Sequence, residues 1–218
     1  EEKTYKYGQT VSVADDASAP GYTFSGWSAD RATIENGEFV MPESDVVITG
    51  SFTAKKDTAY RVEYYLENLV GDGFDLKETQ NLTGTTDTLA KAEVKSFTGF
   101  TFDKDNTNNK LEGTIAGDGS LVLKVYYTRN SYEVTYEYTG KVPAGASELP
   151  VERTYKYGAA IEVAKAAEAA GYTFSGWSTE NATVADGKFT MPENDVKFTG
   201  SFARDYVNHD FTVEPYDD

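Results

Sequence analysis

The chain has 218 residues, 36 acidic against 20 basic side chains, and a formal charge of −16. Phosphate backbones and anionic bilayers repel such a chain, which argues against nucleic-acid and membrane-surface partners. It contains no cysteine, so disulfides, thiol catalysis and thiolate metal sites are excluded together. No apolar run approaches the ~18 residues of a membrane span, and 16 Tyr, 12 Phe and 2 Trp supply the core-building bulk that few Leu or Ile could provide.

In chain order, TYKYG (4–8) and QTVSVADDASAPG (9–21) lead into the octapeptide GYTFSGWS (21–28). Alternation puts Tyr22 and Phe24 on one face of a strand, and Gly26 lets the backbone bulge so that Trp27 swings over a core edge. These three residues are expected in the structural core. Fully burying a ring of that size is worth roughly 1.5–3 kcal/mol, a large share of a domain stability of about 5–15 kcal/mol. Met41-Pro42 then ends a strand, and an acidic turn leads into VVITGSF (46–52).

A different pattern follows. YRVEYYLENL (60–69) reads as a strand closed by the turn signal Gly71-Asp72-Gly73. DKDNTNNKLEG (103–113) spaces Asp103, Asp105, Thr107 and Asn109 as a calcium loop would. Asn108 stands where such a loop needs glycine, and Thr114 where it needs an acid, so a polar loop between strands is expected instead. After the turn signal Asp118-Gly119 comes SLVLKVYYT (120–128), where Leu121, Leu123, Val125 and Tyr127 point one way and Val122, Lys124 and Tyr126 the other. In SYEVTYEYTG (131–140), Tyr132, Val134, Tyr136 and Tyr138 alternate with Glu133, Thr135 and Glu137, predicting another strand.

From residue 154 the opening pattern returns. Residues 4–53 align with 154–203 without a gap, and 30 of the 50 positions are identical. A reactive motif would not carry fifty aligned neighbours with it; a duplicated fold unit would. Tyr172, Phe174 and Trp177 therefore take the same core roles as their counterparts. AAIEVAKAAEAAG (159–171) looks helical by propensity, but its counterpart QTVSVADDASAPG holds two Asp and a Pro, so a shared fold allows at most a short helical turn. FTVEPY (211–216) echoes YRVEYY (60–65), with Pro215 marking a frayed or edge position.

Four segments result: 1–56, a repeat lacking its leading strand; 57–129, a middle β module; 130–204, a complete repeat; and 205–218, a tail or the start of a further module. The chain reads as a fragment or terminus of a longer array. An exposed edge is expected on the first segment, making it either the least stable part or one that takes a strand from a neighbouring molecule; otherwise a monomer is expected.

The GYTFSGW-type segments resemble the Listeria–Bacteroides repeat, the B-repeat of internalin-like surface proteins, whose hallmark is Gly-Tyr-x-Phe-x-Gly-Trp. The middle segment, from YRVEYYLENL through TGTTDTLAKAEVKSFTGFTF to GSLVLKVYYTRN, is similar to a mucin-binding-protein (MucBP)-like repeat. These resemblances imply a mostly β fold (α+β at most) of tandem small β-grasp, ubiquitin-like modules, and an elongated form. A 75-residue globule is roughly 30 Å across, so three in line exceed about 90 Å. They also imply a secreted or wall-anchored surface protein of Gram-positive or gut bacteria, serving as a stalk or in adhesion. The alternative is a module binding host glycan, mucin or protein, alone or within a secreted hydrolase, with Tyr65 and Tyr126 the aromatics to test.

Neither family supplies catalytic residues, and no cofactor or metal is expected. The one histidine, His209, sits in the tail beside Asp210, leaving a Ser/His mechanism without a base.

Overall fold

The structure, a computed structural model, describes residues 2–206. The expectations for His209 and for FTVEPY with its Pro215 lie outside the described residues. Among those described, every regular element is a β-strand and no helix occurs. Within 159–171 the chain forms only the strand Ala160–Glu162, which pairs with Lys188–Thr190. Ile161 is buried opposite Phe189, and that burial outweighs the helix propensity of the surrounding alanines.

Two compact units divide the chain. One comprises the described residues up to Leu66 together with Phe74–Lys95 and Phe102–Tyr126; the other comprises Glu67–Gly73, Ser96–Thr101 and the described residues from Tyr127.

In the first unit, residues up to 56 form three antiparallel ribbons: Thr10–Ser12 with Glu38–Val40, Tyr22–Phe24 with Phe52–Ala54, and Ser28–Ala29 with Ile48–Thr49. Val11 and Phe39 face each other across the first ribbon and are buried. Farther along, Leu89–Lys91 pairs with Glu112–Thr114. The loop after Phe102 is knitted by its own side chains. Asn106 and Asn109 donate to Asp103, and the Asn109 amide oxygen accepts the Tyr126 backbone N–H at 2.9 Å. Its carboxylate and amides thus hold the loop to a strand.

The middle segment contributes a four-stranded sheet in the order Phe100–Phe102, Val122–Arg129, Thr58–Glu67, Phe74–Gly84. Leu121, Leu123, Val125 and Tyr127 are all buried, as the two-residue alternation predicts, and Tyr126 on the opposite face is buried as well, stacked on Tyr65. Both predicted turns form. Gly71 (φ +86°) and Gly119 (φ +76°) take left-handed backbone that other residues adopt at a cost, and the Asp118 carboxylate accepts the Ser120 N–H at 3.0 Å.

In the second unit, Ser131–Tyr138 is the central strand of a three-stranded sheet, antiparallel to Arg153–Lys156 and parallel to Val196–Gly200. A ribbon of Tyr172–Phe174 with Phe202–Arg204 completes the repeat. Its fully buried centre is Val134, Ile161, Phe189, Met191, Val196 and Phe198.

Candidate functional site: aromatic nests and backbone joints

The octapeptide builds the same nest in both copies. Phe24 meets Trp27 edge-on, ring centroids 5.0 Å apart, and Phe174 meets Trp177 likewise at 4.9 Å. Phe52 and Phe202 tilt against those phenylalanines at 5.1 Å. Gly26 (φ +79°) and Gly176 (φ +86°) supply the left-handed turn that brings each indole back over the strand. The indole N–H donates to a main-chain carbonyl, Asp15 in the first copy and Lys165 in the second. Because the acceptor is backbone, an acidic residue in one copy and a basic one in the other do the job equally well.

All six octapeptide residues expected in the core (Tyr22, Phe24, Trp27, Tyr172, Phe174 and Trp177) are half-buried. The fully buried positions of the second copy are others, and Trp177 packs against them from the side. Sequence reasoning also missed the floor of the nest. A Cβ on Gly50 would lie 2.6 Å from Phe24 Cε2, and one on Gly200 2.6 Å from Phe174 Cε2. These glycines are present for space, since no positive φ applies at either. The signal was there in the shared TGSF, but a local pattern does not say which ring lies over it.

The copies differ in what covers the nest. In the second, Tyr138 stacks on Trp177 at 5.4 Å, and Tyr136 approaches Trp177 edge-on at 5.0 Å while stacking on Phe198 at 5.2 Å. Each such pair contributes about 0.5–1.5 kcal/mol beyond the area it buries. Among the described residues up to 56, no strand corresponds to Ser131–Tyr138. There Phe52 is 43% exposed and Val47 59% exposed, and Met41 and Val46 are only half-buried where Met191 and Val196 are fully so.

Within the first unit, the repeat meets the middle segment backbone to backbone. Gly21 and Gly117 lie so close that a Cβ on Gly117 would overlap the Pro20 carbonyl, and one on Gly21 would come 2.6 Å from Thr86 Oγ1. Thr86 is buried there, donating its hydroxyl to the Gly21 carbonyl at 2.8 Å and its N–H to the Lys55 carbonyl at 2.9 Å. Its Oγ1 also lies 2.6 Å from Thr58 Oγ1, and the Tyr22 hydroxyl donates to the Asp87 carboxylate.

Within the second unit, Arg129 plays the corresponding part. It donates to the Glu67 and Tyr157 carbonyls and lies over the Phe100 ring. The Tyr157 ring in turn fills the space where Gly99 would otherwise carry a Cβ. Burial works to raise the Glu67 carboxyl's pKa. Hydrogen bonds from Lys156 and the Arg129 N–H, together with both positive charges, overcome it and hold the group below the ordinary carboxylate range.

Tyr65 and Tyr126, the candidate ligand platform, are engaged with each other: their rings stack at 4.7 Å with planes 8° apart. The Tyr65 hydroxyl donates to Glu63 at 2.7 Å, and Arg61 donates to the same carboxylate at 2.8 Å. That hydrogen bond, then burial and the Glu63 charge, pushes the Tyr65 phenol up to about 12. Among the described residues, no group of three or more His, Cys, Asp or Glu gathers as a metal site.

These features define a tandem all-β repeat organised around a duplicated aromatic nest. Residues 1–56 and 132–206, more than half of the chain, match the divergent InlB B-repeat domain family, and the chain belongs to it. This membership supports a bacterial surface repeat protein with an extracellular or cell-surface location. Among solved structures it is similar to the Streptococcal High Identity Repeats in Tandem (SHIRT) domains 3-4 from a cell surface protein. That similarity has 16% identity over 66% of this chain and 96% of that one, with a TM-score of 0.22. No curated protein matches.

Proposed function

We propose that the chain is a non-catalytic stalk segment of a bacterial surface protein, whose repeats set the distance between the cell and a more distal binding domain. The observation that carries this reading is the joint at Gly21, Thr86 and Gly117. A spacer needs neighbouring repeats that do not hinge freely, and here two backbones are in van der Waals contact with a buried threonine bonded across them. Arg129, reaching both Glu67 and Tyr157, adds a second such brace within its own unit. The high negative charge suits a stalk, keeping neighbouring copies apart and soluble. On this reading the repeats are small β-grasp modules, the middle one of MucBP-like type, and the protein is anchored to a Gram-positive cell wall.

Glycan-array and mucin-binding assays on the 218-residue chain test the proposal. A stalk segment gives no signal above background. Saturable binding that is lost on Tyr65→Ala replaces this reading with a ligand-recognition module.

A further inference from the structure

In the second unit, the strand that opens the repeat and the strand near its end lie side by side and point the same way. Val196–Gly200 runs parallel to Ser131–Tyr138 in the register Val134↔Val196, Tyr136↔Phe198, Tyr138↔Gly200. A bond at each end extends this ladder: the Asp195 carboxylate accepts the Glu133 N–H at 2.8 Å, and the Thr139 N–H donates to the Gly200 carbonyl at 2.8 Å. Val134, Val196 and Phe198 are buried beneath it, so water cannot reach its bonds from that side and replace them one at a time. Side chains tie the two strands as well. Tyr136 stacks on Phe198 with planes 15° apart, and Lys197 pairs with Glu137. The Tyr136 hydroxyl accepts the Ala164 N–H at 3.0 Å and the Tyr138 hydroxyl donates to the Ser147 carbonyl at 2.9 Å, fastening the leading strand to two loops.

We propose that this repeat is a shear clamp, a module that carries tension along the chain without unfolding. Tension enters at Ser131 and leaves past Gly200. Ser131 to Tyr138 spans about 23 Å along the strand, whereas neighbouring strands lie only ~4.8 Å apart. Because Gly200 lies opposite Tyr138, a pull on those two ends acts almost along the strands. Every bond of the ladder is then loaded together, and all must give before the chain extends. A pull applied beyond one end of the ladder would instead open the same bonds one after another. Forced unfolding is governed by the barrier to unfolding rather than by equilibrium stability, and simultaneous rupture raises that barrier. The ribbon of Tyr172–Phe174 with Phe202–Arg204 takes load from downstream first, but its three pairs yield before the five of the ladder. The use of such a clamp rests on the stalk reading, since a spacer holding a distal domain is pulled; its geometry does not.

Because the chain has no cysteine, paired thiols fix the pulling points uniquely. In the 218-residue chain, Ser131→Cys with Arg204→Cys loads the ladder in shear, and Lys141→Cys with Arg204→Cys loads it from one end; all three positions are exposed. Single-molecule pulling at one speed should unfold the first pair in one main step that releases roughly 230 Å of chain. The force should be at least about twice that needed for the second pair. The Phe202–Arg204 ribbon is loaded in both geometries and cancels from the comparison. Equal or lower force in the Ser131 geometry would overturn the clamp, and so would release of that length in several small low-force steps. Either result leaves the stalk reading standing, which fails instead on saturable glycan binding lost with Tyr65→Ala.

Discussion

Tyr138 lies stacked on Trp177, planes 19° apart, whereas among the described residues the equivalent Trp27 has Phe24 against it and no stacked tyrosine. The same octapeptide is therefore covered in one copy and open in the other. Amides of residues 46–50 should exchange about tenfold faster than those of 196–200 in a demonstrated monomer, because local opening is easier where fewer contacts must break. Equal protection of the two segments would show that the edge is covered.

Gly200 provides a cleaner test of packing. A methyl group there overlaps the Phe174 ring, which is itself hemmed in by Trp177, Tyr138 and Phe202. Gly200→Ala should cost about 1–3 kcal/mol, the usual penalty for overpacking, read from urea denaturation by tryptophan fluorescence. Gly50→Ala should cost less, since Phe24 has room to swing outward.

At the joint, Gly117→Ala pushes a methyl into the Pro20 carbonyl. The expected result is loss of the Thr86 bonds to Gly21 and Lys55, with a penalty of about 1–3 kcal/mol for leaving buried polar groups unpaired. Faster amide exchange at Thr86 and new protease cleavage near residue 56 would register it. Unchanged exchange would show that the backbones can separate at little cost.

Alkaline titration should reveal Tyr65 as the late phenol, ionising at about 12 rather than 10. Its folded value lies above its unfolded one. The stability it contributes is therefore complete below pH 10 and lost as pH rises from 10 toward 12. Tyr65→Phe should remove that step from the absorbance of the folded protein.

Acid acts through Glu67. Its folded value lies below the ordinary 4.5, so its stabilisation is present above pH 4.5 and disappears as pH falls through the folded value. Glu67→Gln should lower stability near neutrality, where that contribution is complete, and flatten the dependence on pH below 4.5. An unchanged acid limb would assign the loss to other carboxylates.

Much of this was open to reading in one dimension. The gapless copy of fifty residues announced a duplicated fold, and the alternation from Leu121 to Tyr127 told which face is buried. Comparing 9–21 with 159–171 ruled out a helix that propensity alone would have favoured. All of these signals are local or come from chain compared with itself, where the two-residue period of a strand is written directly into residue order.

Only the tertiary structure decided what covers what. Gly50 and Gly200 matter because a ring far off in sequence lies over them, and Thr86 matters because the Gly21 carbonyl comes within 2.8 Å. Nor did residue order show that the indoles would sit half-buried at the margin while Met191, Val196 and Phe198 filled the centre. Such contacts depend on how separate strands meet in space, and a pattern along the chain carries no distance between its parts.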